Sequence, residues 1–280
     1  MSALAALPLE TPAFIYDESR ILAMARLLRQ AGEASGGQML YSIKALPFLP
    51  VLELLAPWLD GFSVSSLFEA RLAAALGKPL HITTPGLREA ETAEIGGLCR
   101  FVAFNSWQQF QRLHGLLGED ASPGLRVNPG LSLLDDRRHD PCRESSKLGV
   151  PLDELAALLA QDGGLGGRLR GLHFHTAFAS RSFTPLQATA DHLIDRLGED
   201  CLSRLDWINL GGGYLFDSLD DLRGLTELVQ GLRGRLGVEV YFEPGKAVAG
   251  RAGYLAASVV DRFRRDGKTV LVLDSTVNHH

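Results

Sequence analysis

The feature that most constrains this chain is an alternation. Short runs rich in β-branched or aromatic residues recur, each followed by a stretch with helical periodicity, and such a pattern signals βα units around a parallel sheet. After a lead-in at Phe14–Tyr16, strands are expected at Met39–Ala45, Gly61–Ser65, Leu80–Thr83 and Phe101–Asn105. Four more follow at Leu125–Asn128, Gly171–Thr176, Trp207–Leu210 and Val238–Glu243. Leu/Ala-rich helices such as Leu67–Leu76, Trp107–Leu117, Leu152–Ala160, Leu186–Leu197 and Leu219–Leu236 lie between them. Ser19 is expected to open the helix carrying Ile21–Leu28, and Asn105 or Ser106 the one carrying Trp107. Pro151 suits a first helical turn. Gly163–Gly167 and Asp135–Asp140 read as turns too short for interdomain linkers.

Eight βα units in about 230 residues fit a closed α/β barrel, (β/α)8 of TIM type, better than an open doubly wound sheet. After Glu243 the pattern changes. Tyr254–Val260 and Thr269–Leu273 read as strands joined by the charged turn Asp261–Lys268. The expected organisation is therefore a barrel over residues 1–250 and, over 251–280, the start of a truncated β-rich C-terminal domain.

Composition closes off several classes of function. Over 280 residues, 28 basic and 33 acidic side chains give a net charge of −5, with no basic stripe to attract nucleic acid or an anionic membrane. No apolar run reaches the ~20 residues of a membrane span. Met1–Glu10 is apolar but lacks the basic start and cleavage site of a signal peptide. Cys99, Cys142 and Cys201 are too scattered for a disulfide framework or a zinc site. A cytoplasmic globular protein is expected.

In a (β/α)8 barrel the active site lies at the C-terminal ends of the strands, so polar residues there are the candidates. Tyr41-Ser42-Ile43-Lys44-Ala45 puts a lysine at the end of the first strand. A desolvated lysine is what Schiff-base chemistry requires, while a lone strand-end lysine also snorkels to solvent. The seventh strand runs into Gly211-Gly212-Gly213, whose backbone can turn N–H groups toward a phosphate or form a plain tight turn. The eighth ends in Glu243-Pro244-Gly245. Its carboxylate can sit opposite a protonated ring nitrogen, or pair with Arg251. His173 and His175 alternate to one side of the sixth strand. With no acidic residue at ligand spacing, a histidine stacked on a cofactor ring is favoured over a metal pair, and no metal is expected. Arg126 and Asn128 on the fifth strand add polar groups for an acidic cofactor or substrate. Cys142 follows a proline in a polar loop that can line the site, whereas Trp58 and Trp207 read as core. Lysine, histidine, glycine turn and carboxylate in this order are the parts that pyridoxal 5′-phosphate needs.

On these motifs the chain resembles the fold-type III pyridoxal-phosphate decarboxylases, the alanine-racemase-like barrels that include ornithine, diaminopimelate and carboxynorspermidine decarboxylases. The resemblance runs from Thr11–Asp17 to the end. Asp140-Pro141-Cys142 with Ser146–Gly149, and Gly171–Thr176, look closest to the carboxynorspermidine branch and related siderophore-pathway decarboxylases. It implies that Lys44 forms the Schiff base, that His175 stacks on the pyridine ring and that Glu243 pairs with the ring nitrogen. Gly211, Gly212 and Gly213 match the phosphate loop, and Arg126 an arginine near the cofactor. The implied reaction is loss of the α-carboxylate of a small-molecule substrate, an amino acid or diamino-acid conjugate like carboxynorspermidine, diaminopimelate or ornithine, by a homodimer.

Two departures stand out. Ser63 occupies a position where family members carry an aspartate. The family also continues into a complete β-domain that supplies a cysteine proton donor across the dimer, so a separately supplied β-domain is one expectation here. A single-barrel pyridoxal-phosphate carrier, a racemase on the same scaffold, and a barrel with no cofactor are the other readings.

Overall fold

The computed structural model describes residues 9–134, 138, 140–161 and 168–276. The turn expected at 163–167 and most of the one at 135–140 lie outside them. Eight parallel strands form the barrel: β1 (Gln38–Ser42), β2 (Gly61–Val64), β3 (Leu80–Thr83), β4 (Phe101–Phe104), β5 (Ser122–Asn128), β6 (Gly171–His173), β7 (Trp207–Asn209) and β8 (Glu239–Phe242). Each pairs with the next in sequence, and β8 pairs with β1, so the sheet closes. All eight expected strands form. Six of them end one to three residues early, where the chain must turn into the loops of the C-terminal face, and the two ending at Thr83 and Asn128 stop where expected.

Closure creates two hydrophobic cores. The outer one lies between strands and helices and includes Ile21, Leu28, Phe62 and Phe104. The inner one fills the barrel with Leu40, Phe101, Ala103, Trp207 and Tyr241. Trp207 fits because its neighbours lack side chains. A Cβ on Gly124 would lie 2.5 Å from the indole Cη2, and one on Gly171 would fall within the ring system. The indole Nε1 donates to Ser122 Oγ at 2.8 Å, satisfying the one polar atom of a side chain that is 1% exposed.

Helix starts follow local chemistry, with corrections to the sequence reading. The first helix runs Glu18–Ser35 and is capped by Asp17, whose carboxylate accepts from the N–H groups of Ser19 and Arg20. Ser19 lies inside the first turn; a charged acceptor two residues earlier takes both free donors. Ser106, not Asn105, caps Trp107–Leu113. Asn105 instead bridges to Lys147 and Gly149. Pro151 ends the short strand Val150–Pro151, just before the helix at Leu152–Gln161.

Beyond the barrel, Ala13–Tyr16 pairs antiparallel with Gly253–Ala256. Thr11 Oγ1 donates to Asp274 Oδ2 at 2.6 Å, a second tie between the two ends of the described chain. The expected strand Tyr254–Val260 is in fact two. Its second half belongs to a hairpin of Val259–Arg265 with Lys268–Leu273. The turn is only Asp266-Gly267, both at positive φ, the two-residue turn that Asp-Gly favours between twisted strands. Side-chain alternation therefore continues through the charged residues Asp261–Arg265.

Candidate active site

A cavity of about 290 Å³ opens at the C-terminal end of the barrel. Its wall takes Ser42, Ser63, Thr83, Arg126 and His173 from strand ends, Lys44 from beyond β1, His175 and Phe178 from beyond β6, and Glu243 from just after β8. A larger cavity of about 720 Å³ lies at the other end, where Phe101, Ser122 and Glu239 begin their strands. The chemistry-bearing residues gather at the smaller one.

Lys44 is not on the strand. It lies in a single 3-10 turn, Ile43–Ala45, and its side chain is exposed at the cavity rather than desolvated. Glu243 is its opposite: a carboxylate only 7% exposed. Its Oε1 accepts from Asn209 Nδ2 at 2.7 Å, and Oε2 lies 3.4 Å from His173 Nε2. Burial alone would push this carboxyl up. The hydrogen bonds from His173 and Asn209 outweigh that and hold it below the usual carboxylate range. Arg251, the alternative partner, pairs with Asp217 at 2.8 Å, so Glu243 is free of the surface network.

The histidines are pressed toward the neutral form. For His175, burial acts first and the nearby cations Arg126 and Lys44 add to it. For His173 burial likewise dominates, opposed by Glu243. His173 Nδ1 is buried without a hydrogen-bond partner. Arg126, half-buried, is pressed down by burial and steadied by Glu243. The resulting site has one anion at its closed end, with cations above it.

Gly211–Gly213 stands beside the cavity, against His175. Gly211 and Gly213 have φ of 67° and 92°, and a Cβ on Gly211, Gly212 or Gly213 would collide with the carbonyls of Phe174, Glu243 or Ala177 respectively. Close backbone approach, as well as the turn itself, therefore demands glycine here. Cys142 does not line the cavity, although its neighbour Pro141 does. The Cys142 thiol lies 3.4 Å from the His175 carbonyl oxygen, and burial first, then the Asp140 charge, pushes it up to about 12, which makes it an inert prop. Ser63 lines the cavity with a hydroxyl where a carboxylate was the family expectation.

Two buried residues escaped the sequence reading. Asn209 holds Glu243 and also accepts from the Gly211 N–H at 2.9 Å. His81, at the same level, lies 3.3 Å from the Asn209 amide nitrogen. Asn209 was within reach, since it shares the inward face of β7 with Trp207 two residues before the glycines. His81 carried no comparable signal.

Residues 20–250 match the family model described as "Pyridoxal-dependent decarboxylase, pyridoxal binding domain". The chain is 31% identical over 274 residues to a carboxynorspermidine/carboxyspermidine decarboxylase of Campylobacter jejuni, covering 97% of this chain and 69% of the relative. It is 30% identical over 276 residues to a carboxyaminopropylagmatine decarboxylase of Synechocystis, with 97% and 69% covered. Among solved structures, carboxynorspermidine decarboxylase from Campylobacter jejuni complexed with norspermidine superposes with a TM-score of 0.81 at 30% identity, covering 95% of this chain and 68% of that one. Diaminopimelate decarboxylase from Helicobacter pylori, at 20% identity and a TM-score of 0.81, shares the fold, with 98% of this chain and 73% of that one covered.

Proposed function

Because the chain belongs to the pyridoxal-dependent decarboxylases, we propose that the cavity at the C-terminal end of its barrel binds pyridoxal 5′-phosphate and a carboxylated polyamine or diamino acid, and removes the α-carboxylate as CO2. The observation that carries this is the buried, ionised Glu243 at the closed end of a cavity whose rim presents Lys44. The residues fit the cofactor. An anion held in a dry site matches a protonated ring nitrogen, and a turn with no room for Cβ atoms lets backbone approach a phosphate.

Lys44, whose amine is exposed at the cavity, would hold the cofactor covalently. His175, kept neutral, offers a flat face without adding charge. Glu243 would hold a proton on the cofactor's ring nitrogen, and Arg126 would face the anionic groups of the ligands. Gly211, Gly212 and Gly213 form the phosphate side. When bound, pyridoxal phosphate supplies the electron sink for the pair left on Cα as the bond to the carboxylate breaks.

We assign residues 1–250 to the barrel and 251–280 to the start of a β-domain, a division supported by the change from βα units to antiparallel pairing, with Ala13–Tyr16 reaching across it to pair with Gly253–Ala256. Three free thiols, at Cys99, Cys142 and Cys201, support a reducing cytoplasmic setting. The apolar residues exposed on the hairpin, Val260 and Leu271 among them, support a homodimer. Among the described residues no helix is long and apolar enough to cross a membrane.

The test is CO2 release from carboxynorspermidine and from meso-diaminopimelate by the cofactor-loaded protein. Release from either, abolished by Lys44→Ala, is the expected result. Cofactor binding with no release from both would point to a carrier and overturn the decarboxylase reading.

A further inference from the structure

We propose that Asn209 is a positioning residue that joins the Glu243 carboxylate to the glycine turn, so that one amide sets both ends of the cofactor site. This rests on the roles given to Glu243 and Gly211–Gly213 above.

The contacts form a closed ring. Asn209 Nδ2 donates to Glu243 Oε1 at 2.7 Å, and the Gly211 N–H donates to Asn209 Oδ1 at 2.9 Å. The backbone N–H of Glu243 donates to the Gly211 carbonyl at 2.7 Å, completing the circuit. Neither residue can shift without straining the other. Asn209 is 1% exposed, so no water replaces a lost partner, and a buried unmet donor or acceptor is costly.

The amide cannot flip. Reversed, its oxygen would face the Glu243 carboxylate and its NH2 the Gly211 N–H, exchanging two attractions for two repulsions. His81 guards the same orientation. Its Nδ1 lies 3.3 Å from Asn209 Nδ2 and accepts the second amide hydrogen only while unprotonated. Burial keeps this imidazole neutral, so the lock stays closed at ordinary pH. Gly211 has a further reason to be held: at φ 67°, against the Phe174 carbonyl, it has little freedom to find another arrangement.

The experiment is a double-mutant cycle on cofactor affinity, read by absorbance titration with pyridoxal 5′-phosphate. Asn209→Asp keeps an acceptor for Gly211 but turns a like charge on Glu243. In the parent protein it is expected to weaken binding by at least about 10-fold and to move the absorbance band of the bound cofactor. In a Glu243→Gln background, where the glutamine amide can donate to the new carboxylate, the same change is expected to cost less than about 3-fold. Asn209→Ser, measured in both backgrounds, gives the comparison without added charge should Asn209→Asp fold poorly. Equal factors in the two backgrounds would overturn the proposal. Failure of the site reading looks different: the parent protein would take no borohydride-stable label at Lys44, or Glu243→Gln alone would leave affinity and absorbance unchanged.

Discussion

Replacing His81 with phenylalanine is expected to flatten the acid side of the stability curve. In the folded protein burial pushes this imidazole down to about 3, with Glu243 opposing and His173 and Arg100 adding to the push, against 6.5 for a free side chain. Between those two values the unfolded chain binds a proton that the folded chain refuses. The folded state is therefore at full strength above pH 6.5 and weakens as pH falls through the window. At pH 5 the term amounts to about 2 kcal/mol, RT ln(1 + 10^1.5), and it scarcely depends on the exact folded-state value because that lies so far below. Phenylalanine retains the stacking on Phe101, whose ring centroid is 4.1 Å away, and the contact with Tyr241 at 4.3 Å. Urea unfolding at pH 7.5 and pH 5 is the assay. The parent should lose about 2 kcal/mol more than His81→Phe between the two pH values, whatever their absolute stabilities. His173, also pressed neutral by burial, is present in both proteins. Equal losses would refute the reasoning and mean that His81 takes up its proton in the folded state.

Two further outcomes test the packing. Gly171→Ala drives a methyl into the Trp207 indole and is expected to cost about 1–3 kcal/mol by urea unfolding, with Trp207→Phe in the same chain recovering part of it. Ser106→Ala removes the acceptor for the Gln109 N–H and is expected to cost about 1 kcal/mol by the same measure.

The barrel was legible because its strands are bounded on both sides, by glycine, proline or a capping residue and by the next helical stretch. The helices Leu49–Leu55 and Glu89–Leu98 were harder to see. The first is short and carries Pro50, and the second mixes glycine and threonine into a weakly amphipathic run. At the C-terminal end, the breadth of the charged run hid the turn. Asp266-Gly267 carries the backbone reversal, and the charges on either side are strand residues. Within the site, Lys44, Glu243 and the glycines announced themselves by lying where strands end. Asn209 and His81 act from inside the barrel, on strands that are read as core. A polar residue facing inward there looks the same in sequence whether it holds a catalytic group or merely fills space. The thiol of Cys142 shows the converse: its neighbour lines the cavity while its own side chain supports a backbone carbonyl from behind.

Lys44 is the residue at which the cofactor would be attached. Borohydride reduction of the full chain after incubation with pyridoxal 5′-phosphate, followed by peptide mass mapping, should place a stable label on the peptide carrying Lys44 and leave none in Lys44→Ala. A label on another lysine, or none in the parent protein, would contradict the assignment of this cavity as the cofactor site.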